Sequence, residues 1–233
     1  MSADTHPTTG QPVGLPVDTT PAKRPGPRVL QGRYGYLEKL AAAHAADLWR
    51  AFAGHDQIWT YISTDGPFAN ESEFSAFIGM RAAADDPYAY AIIERSGRAV
   101  GYLTLMEIRP AHGVFEVGFI TYSPSLQRTR AGTEAIYLCG AYGFELGYRR
   151  FEWKCNNRNE PSKRAALRYG FKYEGLFRQH QVVKGQNRDT AWYSILDSEW
   201  PARKVAFGRW LAEENFDKDG RQKTSLAALN AAA

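Results

Sequence analysis

The sequence predicts a mixed α/β fold, with a central β-sheet of about seven strands flanked by helices. Two observations carry this. β-rich runs joined by tight turns lie next to strand-helix-strand units, so antiparallel and parallel pairing must share one sheet. No internal repeat is visible.

The elements follow in order. Residues 1–31 hold Pro7, Pro12, Pro16, Pro21, Pro25 and Pro27 and few large apolar side chains. Such a segment buries too little surface to offset its ordering entropy, so it is expected as a disordered arm. The folded domain is expected over 32–200. Arg33–Leu40 reads as a first strand and the Ala-rich Ala41–Phe52 as a helix, ended by Gly54. A short helical piece near Gln57–Tyr61 precedes a turn at Asp65-Gly66-Pro67. Asn70, with Glu73 three residues on, caps a helix reaching Ala84, whose Phe74, Phe77, Ile78 and Arg81 form one stripe.

From Tyr88 the period becomes that of strands: Tyr88–Glu94, Ala99–Ile108 and Val114–Tyr122, with turns at Ser96-Gly97 and His112-Gly113. A helix over Thr129–Leu146 is ended by Gly147. Then come a strand (Tyr148–Cys155), a short helix (Glu160–Tyr169, with Pro161 in its first turn) and a hairpin of two strands, Phe171–Val183 and Arg188–Leu196. Residues 201–233 read as a helical extension (Val205, Phe207, Trp210, Leu211) and a flexible tail.

Composition narrows the function. The chain has 233 residues, 44% hydrophobic and 23% charged, with a formal net charge of +4. No block of like charges stands out, which argues against nucleic acid as a partner. No apolar run approaches the length of a membrane span, and the first residues lack a secretory pattern. Cys139 and Cys155 are too few and too isolated for a disulfide framework, and the histidines have no metal spacing. A cytoplasmic protein without a metal is expected.

The informative stretch is Phe115–Gly132, FEVGFITYSPSLQRTRAG. A strand ends, the chain turns at Ser123-Pro124-Ser125, and a helix starts beyond Gln127-Arg128-Thr129-Arg130-Ala131-Gly132. Helix-start amides lack internal partners and sit at the positive end of the helix dipole. Small residues at Ala131 and Gly132 admit a phosphate, and Arg128 and Arg130 add charge. The run reads either as a pyrophosphate cradle or as an ordinary basic helix start.

This run resembles the signature of the GCN5-related N-acetyltransferases (GNAT), specifically the RimJ/RimL-like branch: Gln or Arg, two residues, Gly, one residue, Gly or Ala. Arg130 stands at the first Gly position and Gly132 at the last. Thr133-Glu134-Ala135 also looks like this branch. Two further segments resemble it, Asn159-Glu160-Pro161-Ser162 with Leu167-Arg168-Tyr169-Gly170-Phe171, and Glu174-Gly175-Leu176-Phe177-Arg178. The likeness spans about Gly32–Pro201.

The resemblance implies a V-shaped split in the sheet between Val114–Tyr122 and Tyr148–Cys155. It implies acetyl-CoA as acyl donor, its pantetheine arm along Phe119, Ile120 and Thr121, its pyrophosphate at Gln127, Arg128, Thr129, Arg130, Ala131, Gly132 and Thr133, with Asn159 orienting the arm or capping its helix. Within that frame Glu116 reads as a general base or as a strand carboxylate paired with Arg150. Ser162 reads as a proton donor or as a first-turn hydroxyl. The expected activity is acetyl transfer to a primary amine, a protein N-terminus or a small molecule, by direct attack in a ternary complex. The alternative is a non-catalytic acyl-CoA-binding or interaction module. A homodimer is left open. Trp59, Tyr61, Arg178, His180, Lys184 and Arg188 fall where an acceptor pocket is expected, and Lys184 with Arg188 favour an acceptor carrying an anionic group.

Overall fold

A computed structural model describes residues 4–232. Ten strands and six α-helices follow one another: β1 (Asp4–Thr5), β2 (Pro12–Val13), β3 (Leu30–Gln31), β4 (Gly35–Lys39), α1 (Ala45–Phe52), α2 (Glu71–Ala83), β5 (Tyr88–Glu94), β6 (Ala99–Arg109), β7 (Val114–Tyr122), α3 (Arg130–Glu145), β8 (Arg150–Asn156), α4 (Glu160–Arg168), β9 (Lys172–Val183), β10 (Gln186–Leu196), α5 (Trp200–Leu211) and α6 (Leu226–Ala231). β1 and β2 form an exposed hairpin of their own. The other eight strands form one sheet in the order β3-β4-β5-β6-β7-β8-β10-β9, and β7 with β8 is its parallel pair. The mixed sheet is the expected one, with an extra short strand, β3.

Each face of the sheet carries a core. Under α3 and α5 lie Phe115, Phe151, Tyr169 and Phe207, and Phe115 stacks on Phe151 with centroids 4.5 Å apart. Such a pair adds about 0.5–1.5 kcal/mol beyond its buried area. Glycines let the layers close: a Cβ on Gly143 would stand 2.0 Å from the Phe115 ring. Under α1 and α2 lie Leu48, Phe52, Trp59, Phe74, Phe77 and Ile78. The stripe read from the sequence of α2 is its buried face, and Asn70 caps it by accepting the amide of Glu73.

Both chain ends differ from expectation. Residues 1–3 and 233 lie outside the described residues. Residues 22–31 do not form a free arm: Ala22 and Leu30 are buried, Ala22 N donates to Pro110 O, Lys23 N donates to Leu146 O, and Leu30–Gln31 joins the sheet beside β4. A proline-rich extended segment has few donors to satisfy, so a few hydrogen bonds and two apolar anchors dock it. The tail is likewise folded back. Phe216 bridges Gln222, and α6 buries Leu226 and Asn230, whose side-chain amide donates to Arg168 O.

Candidate active site

β7 and β8 pair only at Val114↔Arg150, Phe115↔Phe151 and Glu116↔Glu152. Beyond Glu116 they part, and the cause is local. Two residues of β7, Phe119 and Ile120, stand against one residue of β6, Leu103, between the pairs Tyr102↔Thr121 and Thr104↔Gly118. This β-bulge bends β7, and Phe119 sits there at φ 45°. The Arg81 guanidinium lies 4.3 Å over the Phe119 ring and is itself paired with buried Asp65 at 2.7 Å. β8 meanwhile stays in register with β10 up to Asn156↔Thr190. The result is the V expected from the sequence, opening into a cleft of about 1290 Å³, larger than the roughly 300–1000 Å³ of a single small-ligand site.

Glu116 lies at the vertex, 5% exposed, and lines the cleft. Its partner is not Arg150. Arg150 binds Glu152 and Glu174 instead, and Glu152 also takes Arg109. Lys154 Nζ stands 2.8 Å from Glu116 Oε2, a charge contact that lacks hydrogen-bond alignment. Burial pushes the Glu116 carboxyl up to about 7, against the opposing pull of Lys154. Desolvation wins because the carboxyl is buried almost completely, and against the pull of Lys154 stand the like charges of Glu152 and Glu107.

Asn159 and Ser162 sit together at the start of α4. The Asn159 side chain accepts the Ser162 amide at 3.1 Å, so it caps the helix. Ser162 Oγ accepts the Trp153 indole N–H at 3.0 Å and reaches Cys155 as well. Burial pushes the Cys155 thiol up, with Ser162 opposing, so the sulfur keeps its proton. A buried, protonated thiol is a poor nucleophile.

At the far end of the cleft Thr129 caps α3, its Oγ1 accepting the Gly132 amide at 3.0 Å. The amides of Arg128, Arg130 and Ala131 have no partner among the described residues. Arg128 is exposed and lies at φ 62°. Gly132 serves packing: a Cβ there would stand 2.8 Å from Leu126 O and 3.1 Å from the Tyr122 ring. Tyr122 Oη closes this corner by donating to Gly132 O at 2.7 Å. Gln127 donates through Nε2 to Tyr122 O. Thr133 Oγ1 donates to Thr129 O and accepts from Arg168. Glu134 is structural, its carboxylate accepting the amides of Arg33 and Tyr34 at 2.7 Å each.

The expected cofactor residues therefore line one cleft, Ala131 and Thr121 excepted. The Thr121 side chain is buried and its Oγ1 donates to Phe119 O. Residues not read from the sequence join them: Lys154, Tyr122, Tyr169, Trp192, Arg168, Trp210 and Phe216. Their spacing gave no signal, because they meet only through the sheet order and the return of the C-terminus. Of the expected acceptor cations, Lys184 is spent, donating to the carbonyls of Trp59, Asp65 and Gly66 at 2.8–3.0 Å. Arg188 lines the cleft, bonded to Thr190 Oγ1 and in no ion pair among the described residues.

Unpaired helix-start amides, two arginines beside them and an open strand edge suit an extended pyrophosphate-bearing thioester. Comparison with known proteins gives the family. The family described as "Acetyltransferase (GNAT) domain" matches residues 36–172. The crystal structure of a GCN5-related N-acetyltransferase from Brucella melitensis is 46% identical, with a TM-score of 0.89 over 92% of this chain and 99% of that one. The "Uncharacterized N-acetyltransferase YnaD" of Bacillus subtilis (strain 168) is 24% identical over 65% of this chain and 89% of its own. RimL, described as a ribosomal L7/L12 alpha-N-protein acetyltransferase, shares the fold at 20% identity, with a TM-score of 0.64 over 72% of this chain and 94% of that one. With its split mixed sheet and its cleft at the start of α3, the chain belongs to the GNAT acetyltransferase family, with neighbours of the RimL kind, and is an acyltransferase.

Proposed function

We propose that this chain transfers acetyl from acetyl-CoA to a primary amine by direct attack in a ternary complex, with Glu116 as general base and Ser162 as proton donor. The observation that carries the reading is Glu116 itself: a buried carboxyl with a pKa of about 7 at the vertex of the V. A base poised near neutral pH is half ionised where an ammonium must lose its proton. The Arg128, Arg130 and Ala131 amides would hold the pyrophosphate, and Phe119 and Ile120, at the bulge, would flank the pantetheine arm.

Acetyl-CoA supplies the acetyl group as a thioester. Glu116 takes the amine proton, directly or through one water, as the C–N bond forms. Ser162 Oγ accepts from Trp153, so its own hydrogen, within reach of Cys155, can turn to meet the departing thiolate as the C–S bond breaks. Lys154 keeps Glu116 from rising further, and so keeps it ionisable near pH 7. Arg188, in no ion pair among the described residues, favours an acceptor that carries an anionic group beside its amine.

The test is thiol release from acetyl-CoA with a panel of amines (amino acids, peptides with free N-termini, uncharged amines), beside a calorimetric titration with acetyl-CoA. Turnover with at least one amine, fastest for those bearing a carboxylate, is expected. Binding without turnover across the panel would point to an acyl-CoA-binding module instead.

A further inference from the structure

The C-terminal segment from the end of α5 onward lies outside the residues matched by the family, yet it walls the cleft. Trp210, Phe216, Gly220 and Gln222 line the same cavity as β7 and the start of α3. The segment is pinned there. Trp210 Nε1 donates to Gln222 Oε1 at 2.7 Å, Phe216 stands edge-on to Trp210 at 5.2 Å, and Asn215 accepts the Thr224 amide and donates to Thr224 O.

This wall faces cations. Arg130 lies 3.7 Å over the Phe216 ring and 5.3 Å over Tyr34, and Arg168 lies 4.6 Å over Trp210. Arg164 lines the cleft nearby. None of these three arginines takes part in an ion pair among the described residues. Three guanidinium groups outside ion pairs, two of them over one indole and one phenyl ring, suit a phosphorylated aromatic base: charge for the phosphate, π-systems for the ring.

We infer that Phe216–Gln222, with Trp210, forms the outer wall of a nucleotide subsite. There it holds the 3′-phosphorylated adenosine end of the acyl donor against Arg130, Arg164 and Arg168. This rests on the reading of acetyl-CoA as donor, and it adds that donor selection depends on the C-terminal segment. The wall leaves the vertex of the V untouched, so it sets donor affinity and not the rate of the bound complex.

The experiment is calorimetry of the full chain with adenosine 3′,5′-bisphosphate, alongside kinetics with acetyl-CoA and with S-acetyl-pantetheine, which lacks the nucleotide. The wild type is expected to bind the bisphosphate. Phe216→Ala should weaken that binding, and raise the KM for acetyl-CoA, by roughly tenfold, the worth of one aromatic platform. Its kcat and its KM for S-acetyl-pantetheine should stay as in wild type. Gln222→Ala, which frees the loop through Trp210, should act in the same sense, and Phe216→Tyr should restore affinity. Melting curves verify that each variant is folded. A wild type that binds acetyl-CoA but not the bisphosphate would overturn the subsite, as would variants that lose both acyl donors equally. Bisphosphate binding sensitive to Phe216, without turnover on any amine, would uphold the subsite while the transferase reading failed.

Discussion

Lys154 Nζ stands 2.8 Å from Glu116 Oε2 at the point where β7 and β8 cease to pair. Burial raises the carboxyl and the ammonium lowers it, which leaves its pKa at about 7. Lys154→Met removes the lowering partner and keeps the aliphatic stem. The acid limb of the kcat profile should then move to higher pH, with rate lost at pH 7 and partly recovered near pH 9. An unchanged limb would mean that Lys154 does not tune the base.

The same shift bears on stability. The folded-state value of about 7 exceeds the ordinary 4.5, so the folded chain holds this proton more tightly than the unfolded chain. The contribution of Glu116 therefore falls as pH rises from about 4.5 through 7 and is flat above. Denaturant titrations of Glu116→Gln and wild type should differ in slope against pH in that window and nowhere else.

Gly132 sits where the pyrophosphate corner closes on itself. Any Cβ meets Leu126 O, which is backbone and cannot swing aside. Gly132→Ala should shift the Ser123–Thr129 loop and weaken acetyl-CoA binding by about tenfold or more, and Gly132→Glu should abolish it. Calorimetry measures both. The mechanism is displacement of the loop, since the Cβ points at Leu126 and Tyr122 and not into open space.

Lys184 fastens the β9-β10 turn to the loop carrying Trp59 and Asp65 through three carbonyls. That loop borders the acceptor side of the cleft through Gln57 and Tyr61. Lys184→Met should raise the acceptor KM several-fold and leave acetyl-CoA affinity unchanged. Steady-state kinetics with either substrate varied separates the two.

Much of this architecture was legible in local pattern. The α2 stripe, the Asn70 and Asn159 caps, and Gly147 at φ 94° behind α3 all follow from spacing within one element. The pairing of Glu116 was not legible. Arg150 and Lys154 lie on the same strand and face, and the choice between them depends on Glu152 and Glu174 having captured Arg150. The C-terminal wall was hidden for a different reason. Asp217-Lys218-Asp219-Gly220 is as polar as any solvated tail, and its docking rests on Trp210 and Phe216 finding Arg130 and Arg168 across the fold.

The most direct test of the central claim is the pH dependence of kcat for Glu116→Gln against wild type, with acetyl-CoA affinity measured alongside. The amide keeps the shape of the side chain and removes its basicity. The expected result is unchanged acetyl-CoA binding, a kcat lower by about 10² to 10⁴-fold, and loss of the acid limb near pH 7. A variant that turns over at the wild-type rate with the same limb would contradict the assignment and leave Glu116 a buried strand carboxylate held by Lys154.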